Sequence, residues 1–333
     1  MRSPPLDLPV DELAGVVRRE WRLGVGGLDY FPEGGGAYHW VTQATDGRLW
    51  FVTCDDLDTK PWLGTDRDAV FAGLLAAYGA AIGLRTAGAD FVVAPAPTRS
   101  GEPTVRVDDR HALAVFPLVA GDPGRWGQAM APDDRLRLLR LLVELHRSEP
   151  TLAAALPRRG LEVPGRQSLD TTLQSLDRPW DGGPLSEACR HLLAGHAEDI
   201  AGRLATLDRL ASALDGRGSE TVITHGEPHP GNLIRTHDGF ALVDWDTVAA
   251  ARPERDLWML DDSTSEARAA YQHLSGRALD PLALDAHGLL WALTDVAAFT
   301  VRLRSPHQQN SDTEHALSVL RRTLRGQEPS PYG

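Results

Sequence analysis

The sequence predicts an α+β fold in two lobes. An antiparallel-sheet N-terminal lobe spans residues 1–120, and a mainly helical C-terminal lobe spans residues 121–333. Three observations carry this. Before residue 120, short strand-like runs alternate with glycine-rich and Asp-Gly turns. Beyond it, apolar residues such as Leu136, Leu139 and Val143 recur at helical spacing. With 333 residues, 42% of them hydrophobic, the chain is long enough for two lobes around a cleft.

The elements follow in order. Residues 11–20 read as a short helix. LDYFPE, AYHWVTQ and RLWFVTCD read as strands, joined first through Gly34, Gly35 and Gly36 and then through Asp46-Gly47. Residues 66–87, rich in Ala and Leu, read as a helix lying across that sheet. FVVAPAP reads as a strand ended by prolines, and TVRVDD and HALAVFPLVAG as a further pair. A link near Leu118–Asp122 leads into the helical lobe. There DDRLRLLRLLVELH, residues 185–215, a segment from Pro253 through Leu260, AHGLLWALTDVAAFTVRLR and TEHALSVLRRTLRG all read as helical.

Composition narrows the function. Lys plus Arg total 34 against 46 Asp plus Glu, a net charge of -12. That balance argues against nucleic acid as the main partner. It suits a cationic small substrate, and it equally serves solubility. Two cysteines, Cys54 and Cys189, allow at most one disulfide and no metal cluster. The N-terminus lacks an apolar signal core, and no apolar run reaches membrane length. The expectation is a cytoplasmic protein with no membrane partner; the sequence sets no oligomeric state.

The richest stretch is THGEPHPGNLIRTHDGFALVDWD, residues 224–246. LIR and ALVD flank Asp238-Gly239, a hairpin signal. The hairpin brings Asn232, just before its first strand, toward Asp244, at the end of its second. Glu227 lies in the loop leading in, which Pro228, Pro230 and Gly231 make irregular. An acid, an amide and a second acid converge, a set that suits phosphoryl transfer. Asn232 and Asp244 offer hard oxygens to Mg2+. Glu227 is placed to orient an attacking hydroxyl and take its proton. His225 reads as a brace for the loop and His229 as a candidate substrate contact. The two prolines deny this His pair the helix a zinc pair needs. Ordinary turn chemistry would also use Gly, Pro, Asn and Asp here.

HGEPHPGN followed by LVDWD resembles the aminoglycoside phosphotransferase family, part of the protein-kinase-like fold. LLVELH at 141–146 resembles the helix before its catalytic loop. ARPERDLWML resembles the helix after it, and WALTDVAAFTVRLR the substrate-side helix of the spectinomycin-phosphotransferase-like branch. The resemblance spans about residues 21–325. It implies a two-lobed fold with ATP in the cleft and a small-molecule hydroxyl substrate on the helical side. It implies that Asp256 braces the catalytic loop, that Asn232 serves both nucleotide and metal, and that Asp244 holds metal. PEGGGAY resembles a phosphate-covering loop, although glycines also simply make hairpins. FPLVAG resembles an adenine hinge, and equally a sheet end. Acids within residues 254–262 and Asp295 read either as attraction for a cationic acceptor or as exposed helix faces.

Three positions depart from the family pattern. Glu227 stands where the family has Asp. Thr53 takes the place of the small-lobe Lys that holds the nucleotide phosphates, leaving Lys60 to reach back. The helix that should carry the partner acid of that Lys has none over residues 69–82. The departures set two readings side by side. One is an ATP- and Mg2+-dependent phosphotransferase moving the terminal phosphate to a hydroxyl of a small, aminoglycoside-like molecule, whether cationic or not. The other is a catalytically degenerate relative that binds a nucleotide or small ligand without transfer.

Overall fold

The computed structural model describes residues 1–327, apart from residues 6, 219 and 261–263. After α1 (Val10–Glu20), the N-terminal lobe builds β1 (Asp29–Phe31), β2 (Ala37–Gln43), β3 (Leu49–Asp56), α2 (Arg67–Thr86), β4 (Val105–Arg106) and β5 (His111–Pro117). The sheet order is β1-β2-β3-β5-β4, antiparallel throughout. Both predicted turns are present. Gly47 carries φ +85° between β2 and β3, and Gly34 carries φ +87° between β1 and β2, a region L side chains rarely adopt. One sheet face packs on α1 through Val17, Trp40, Val52 and Leu113. The other packs on α2 through Val70, Leu74, Tyr78 and Ala114.

α2 forms where Asp66 caps it, accepting a hydrogen bond from the Ala69 amide at 2.9 Å. Its second half leaves the small lobe: Ala77, Ala81 and Leu84 join the C-terminal core beside Leu138, Leu142 and Trp245. The helix therefore fixes the sheet over the catalytic loop. FVVAPAP is not a strand. Val92 makes one parallel bridge to Leu242, and Pro95 and Pro97, having no amide hydrogen, cannot extend a ladder.

The C-terminal lobe continues with β6 (Asp122–Pro123), α3 (Pro132–His146), α4 (Pro150–Ala154), α5 (Arg166–Leu173), α6 (Ser186–Ala194) and α7 (Ala197–Asp215). β7 (Val222–Thr224), β8 (Leu233–Arg235), β9 (Phe240–Leu242) and β10 (Ala249–Ala251) follow, then α8 (Glu254–Leu257), α9 (Glu266–Ser275), α10 (Pro281–Arg304) and α11 (Ser311–Leu324). The predicted hairpin is β8–β9, with Leu233 opposite Leu242. The helix expected through Leu260 ends three residues earlier. α5, α6, α7, α10 and α11 share a second core, with Leu169, Cys189, Leu204, Leu293 and Leu320 at its centre.

By length and composition alone, α2 and α10 are apolar enough to cross a membrane. Both contribute buried residues to the cores just described. Cys54 and Cys189 are free and buried in different cores.

Candidate active site

The catalytic loop is held from below by one carboxylate. Asp256 of α8 accepts the His225 amide at 2.9 Å, the Gly226 amide at 2.6 Å and His146 Nε2 at 3.1 Å. It is fully buried. Burial alone would raise its pKa, but the hydrogen bond and charge of His146 and the nearby Arg255 bring it below the usual range. His146 closes α3, as the LLVELH segment implied, and its Nδ1 meets the Tyr271 hydroxyl at 2.8 Å.

His225 is locked as a neutral ring. Its Nε2 donates to the Val243 carbonyl at 2.9 Å, while its Nδ1 accepts the Glu227 amide at 3.2 Å. Burial lowers its pKa to about 4. The ring thus ties the loop to β9 and leaves its proton fixed in place. Gly226 has φ +100°, and a Cβ there would lie 2.3 Å from the Arg255 guanidinium. Only glycine allows this turn and the close approach together. Arg255 in turn donates to Thr224 Oγ1 at 2.7 Å and to the Thr247 carbonyl at 2.8 Å.

The three chemical residues share one electrostatic environment. Asn232, nearly buried, donates from Nδ2 to the Glu227 carbonyl at 2.9 Å. That bond uses the amide nitrogen and leaves the hard oxygen for another ligand. Asp244 adopts left-handed backbone angles, φ 65° and ψ 61°, an uncommon conformation for a non-glycine residue that recurs where function demands it. The protein crowded around its carboxylate, and then the charge of Asp246, raise its pKa to about 7, although the residue itself is exposed. Burial raises Glu227 to about 8, with Asp244, Asp246 and Asp295 adding to the effect and Arg255 opposing it. Glu227 makes no side-chain hydrogen bond among the described residues.

Lys60 is the residue that the sequence pattern underweighted. β3 ends in a 3-10 turn over Leu57–Thr59, capped by Asp56, which accepts the Asp58 amide at 3.1 Å. The turn folds Lys60 back under the sheet. Its ammonium sits 2.5 Å from Asp246 Oδ2 and 3.0 Å from Asp55 Oδ1, with only 3% of the side chain exposed. Burial opposes the charge, but Asp246, Asp55 and Asp244 outweigh it and hold Lys60 protonated. Lys60 thus reaches back as a buried cation while residues 69–82 supply no acid for it. The acids come from β3 and the Trp245–Thr247 turn rather than from α2.

Thr53 lies on the same sheet face as Asp55, two residues earlier, with its hydroxyl 3.3 Å from His39 Nδ1. Burial lowers the pKa of His39 to about 3, so the ring is neutral. The glycine turn arches over the cation: a Cβ at Gly36 would lie 3.5 Å from Lys60 Nζ, whereas Gly35 faces open space. FPLVAG leaves β5 at Pro117 and enters β6 at Asp122.

On the helical side, the Trp126 and Trp291 rings stack at 5.7 Å and 9°. Trp126 also meets His229 edge-on at 4.7 Å, and Trp258 tilts against Trp291 at 5.8 Å. His229 Nδ1 is buried and has no hydrogen-bond partner among the described residues. Asp295 follows Trp291 by one turn of α10. The pairing of these rings was not legible beforehand, since Trp126, His229, Trp258 and Trp291 lie 29 to 165 residues apart in the chain. Of the acids within residues 254–262, those at 261 and 262 lie outside the described residues. Glu254 and Asp256 are buried structural acids rather than an exposed face.

The site fits a divalent cation on chemical grounds. Asp244, Asp246 and Glu227 repel one another, and Asn232 presents a spare oxygen beside them. No group of three or more His, Cys, Asp and Glu side chains among the described residues is arranged to hold a metal alone.

Comparison with known proteins follows the geometry. The model of the phosphotransferase enzyme family matches residues 80–287. Protein StrN of Streptomyces griseus is 29% identical over 320 residues, spanning 92% of this chain and 88% of its own. Spectinomycin phosphotransferase, solved with ADP and spectinomycin, superposes with a TM-score of 0.73 at 13% identity, over 96% of this chain and 97% of its own. Amicoumacin kinase, solved with AMP-PNP and Ca2+, reaches 0.56 at 12% identity, over 96% and 94%. These likenesses establish the two-lobed protein-kinase-like fold. Together with the family match over more than half its length, they show that the chain belongs to the phosphotransferase enzyme family.

Proposed function

We propose that the protein transfers the terminal phosphoryl group of ATP to a hydroxyl of a small, amine-bearing molecule. The observation that carries this reading is the convergence of Glu227, Asn232 and Asp244 beneath the glycine turn, with Lys60 between Asp55 and Asp246. Asn232 and Asp244 would hold magnesium, which supplies a positive centre for the phosphate oxygens. Lys60 and the Gly34–Gly36 turn would flank the nucleotide phosphates. Thr53 would contribute a hydroxyl on the same sheet face.

Glu227 would receive the proton of the acceptor hydroxyl through a carboxylate whose pKa, about 8, lies close to neutral pH. A base tuned near the working pH is effective in proton transfer. Its side chain is one methylene longer than Asp, and the loop that His225 and Asp256 fix in place would have to accommodate it. The acceptor would lie against Trp126 and Trp291, its amine toward Asp295 and Glu227. An aromatic face favours a flat or cationic group, and carboxylates favour the amine. His229 Nδ1 is a free polar partner for a further hydroxyl.

A second reading has its own observation. The ammonium of Lys60 is already engaged by two carboxylates, so its own charge is satisfied without nucleotide. A protein that binds a nucleotide without transferring from it would keep this arrangement. Calorimetry with Mg2+ and ATP, followed by product analysis on a panel of hydroxylated amines that includes spectinomycin, separates the two. Phosphorylated product supports transfer. Nucleotide binding without any product supports the second reading, and neither binding nor product contradicts both.

A further inference from the structure

A cavity of about 810 Å3 lies at the far end of the β7–β10 pair from the catalytic loop. Thr224 pairs with Ala249 at the end that feeds His225, and Val222 pairs with Ala251 at the other. The cavity opens against Thr221, Ala250 and Ala251, between the segment after α4 and the end of α7.

Its wall carries five arginines, Arg158, Arg159, Arg166, Arg217 and Arg252, against three acids, Glu162, Asp208 and Asp215. In a chain of net charge -12, that is a local reversal of sign. Two of the five are neutralised. Arg166 pairs with Asp170 at 3.0 Å and Asp208 at 3.3 Å, and Arg217 with Asp280 at 2.9 Å. Among the described residues, Arg252 donates to the Leu214 and Arg217 carbonyls, at 2.9 and 2.8 Å. Arg159 donates to the Trp62 carbonyl, and Glu162 is the acid nearest in effect to it. Arg158 makes no side-chain hydrogen bond among the described residues. Main-chain carbonyls orient a guanidinium without cancelling its charge. His287, 5% exposed, adds a ring to the same wall.

We propose that this cavity is a second ligand site, for a small molecule carrying a phosphate or diphosphate group. Guanidinium forks match phosphate oxygens in pairs, and the volume is that of a small-molecule pocket. The site differs from the proposed acceptor wall in sign, and it does not depend on the transfer reading.

Calorimetric titration of the full chain with inorganic pyrophosphate, without added metal and at fixed salt, tests it. Arg158→Gln and Arg159→Gln are compared with the wild type. Arg158 is exposed, so its substitution leaves the fold intact. The expected result is one pyrophosphate per chain, weakened about tenfold or more by either substitution, the loss of a charge-assisted hydrogen bond. Unchanged affinity in either variant places the anion elsewhere, the Lys60 cleft included, and overturns the proposal. So does absence of binding to the wild type.

Discussion

Replacing Glu227 with Gln should make the protein more stable, by an amount that grows with pH. Burial and the neighbouring Asp244 and Asp246 raise this carboxyl from 4.5 in the unfolded chain to about 8 in the fold. Between those values the folded protein holds a proton that the unfolded chain has released. Wild-type stability therefore falls as pH rises through that window, by about 1.4 kcal/mol for each pH unit. Above pH 8 the loss levels off. Gln keeps the shape of the neutral acid and never ionises. Denaturant unfolding of both proteins, without metal or nucleotide, should show the advantage of the Gln variant growing by roughly 3 kcal/mol from pH 5.5 to pH 8.5. A difference that stays constant with pH, or an advantage that shifts to the wild type as pH rises, would refute the account of Glu227 as an acid crowded by like charges.

Other sites give sharper local tests. Lys60→Met leaves Asp55 and Asp246 buried without their cation, and unfolding should become easier by about 3–5 kcal/mol. Thr53→Lys should bring no gain in transfer and a lower melting temperature. A second ammonium would enter beside His39 where Lys60 already supplies the charge, so a large gain in turnover would contradict that assignment. Gly226→Ala forces both a left-handed backbone and a collision with Arg255; thermal melting should report a loss of at least about 1–3 kcal/mol.

What the sequence revealed was mainly local. Asp238-Gly239 closes the β8–β9 hairpin, and Pro228 and Pro230 keep the preceding loop irregular, so the neighbourhood of Glu227, Asn232 and Asp244 followed from spacing. The two small-lobe turns were legible for the same reason. Lys60 was offered only as a cation that reaches back; its two partners were not legible, because they lie five residues before it and 186 residues after it. Only the 3-10 turn after β3 brings them together, and a turn of three residues leaves little periodic trace. α4, α5 and α9 escaped as separate helices because they are short. FVVAPAP misled in the other direction: its β-branched run looks like a strand, but its prolines and its position between lobes leave it one bridge. The Trp126–Trp291 stack needed tertiary structure to be seen at all.

The central claim is that Asp244 and its neighbours carry phosphoryl transfer, and it is tested most directly by following phosphorylated product with ATP and Mg2+ in wild type and Asp244→Ala. The account predicts product with at least one hydroxylated amine and its loss by at least about 100-fold in the variant, with the fold intact by circular dichroism. A variant that transfers as well as the wild type would contradict it.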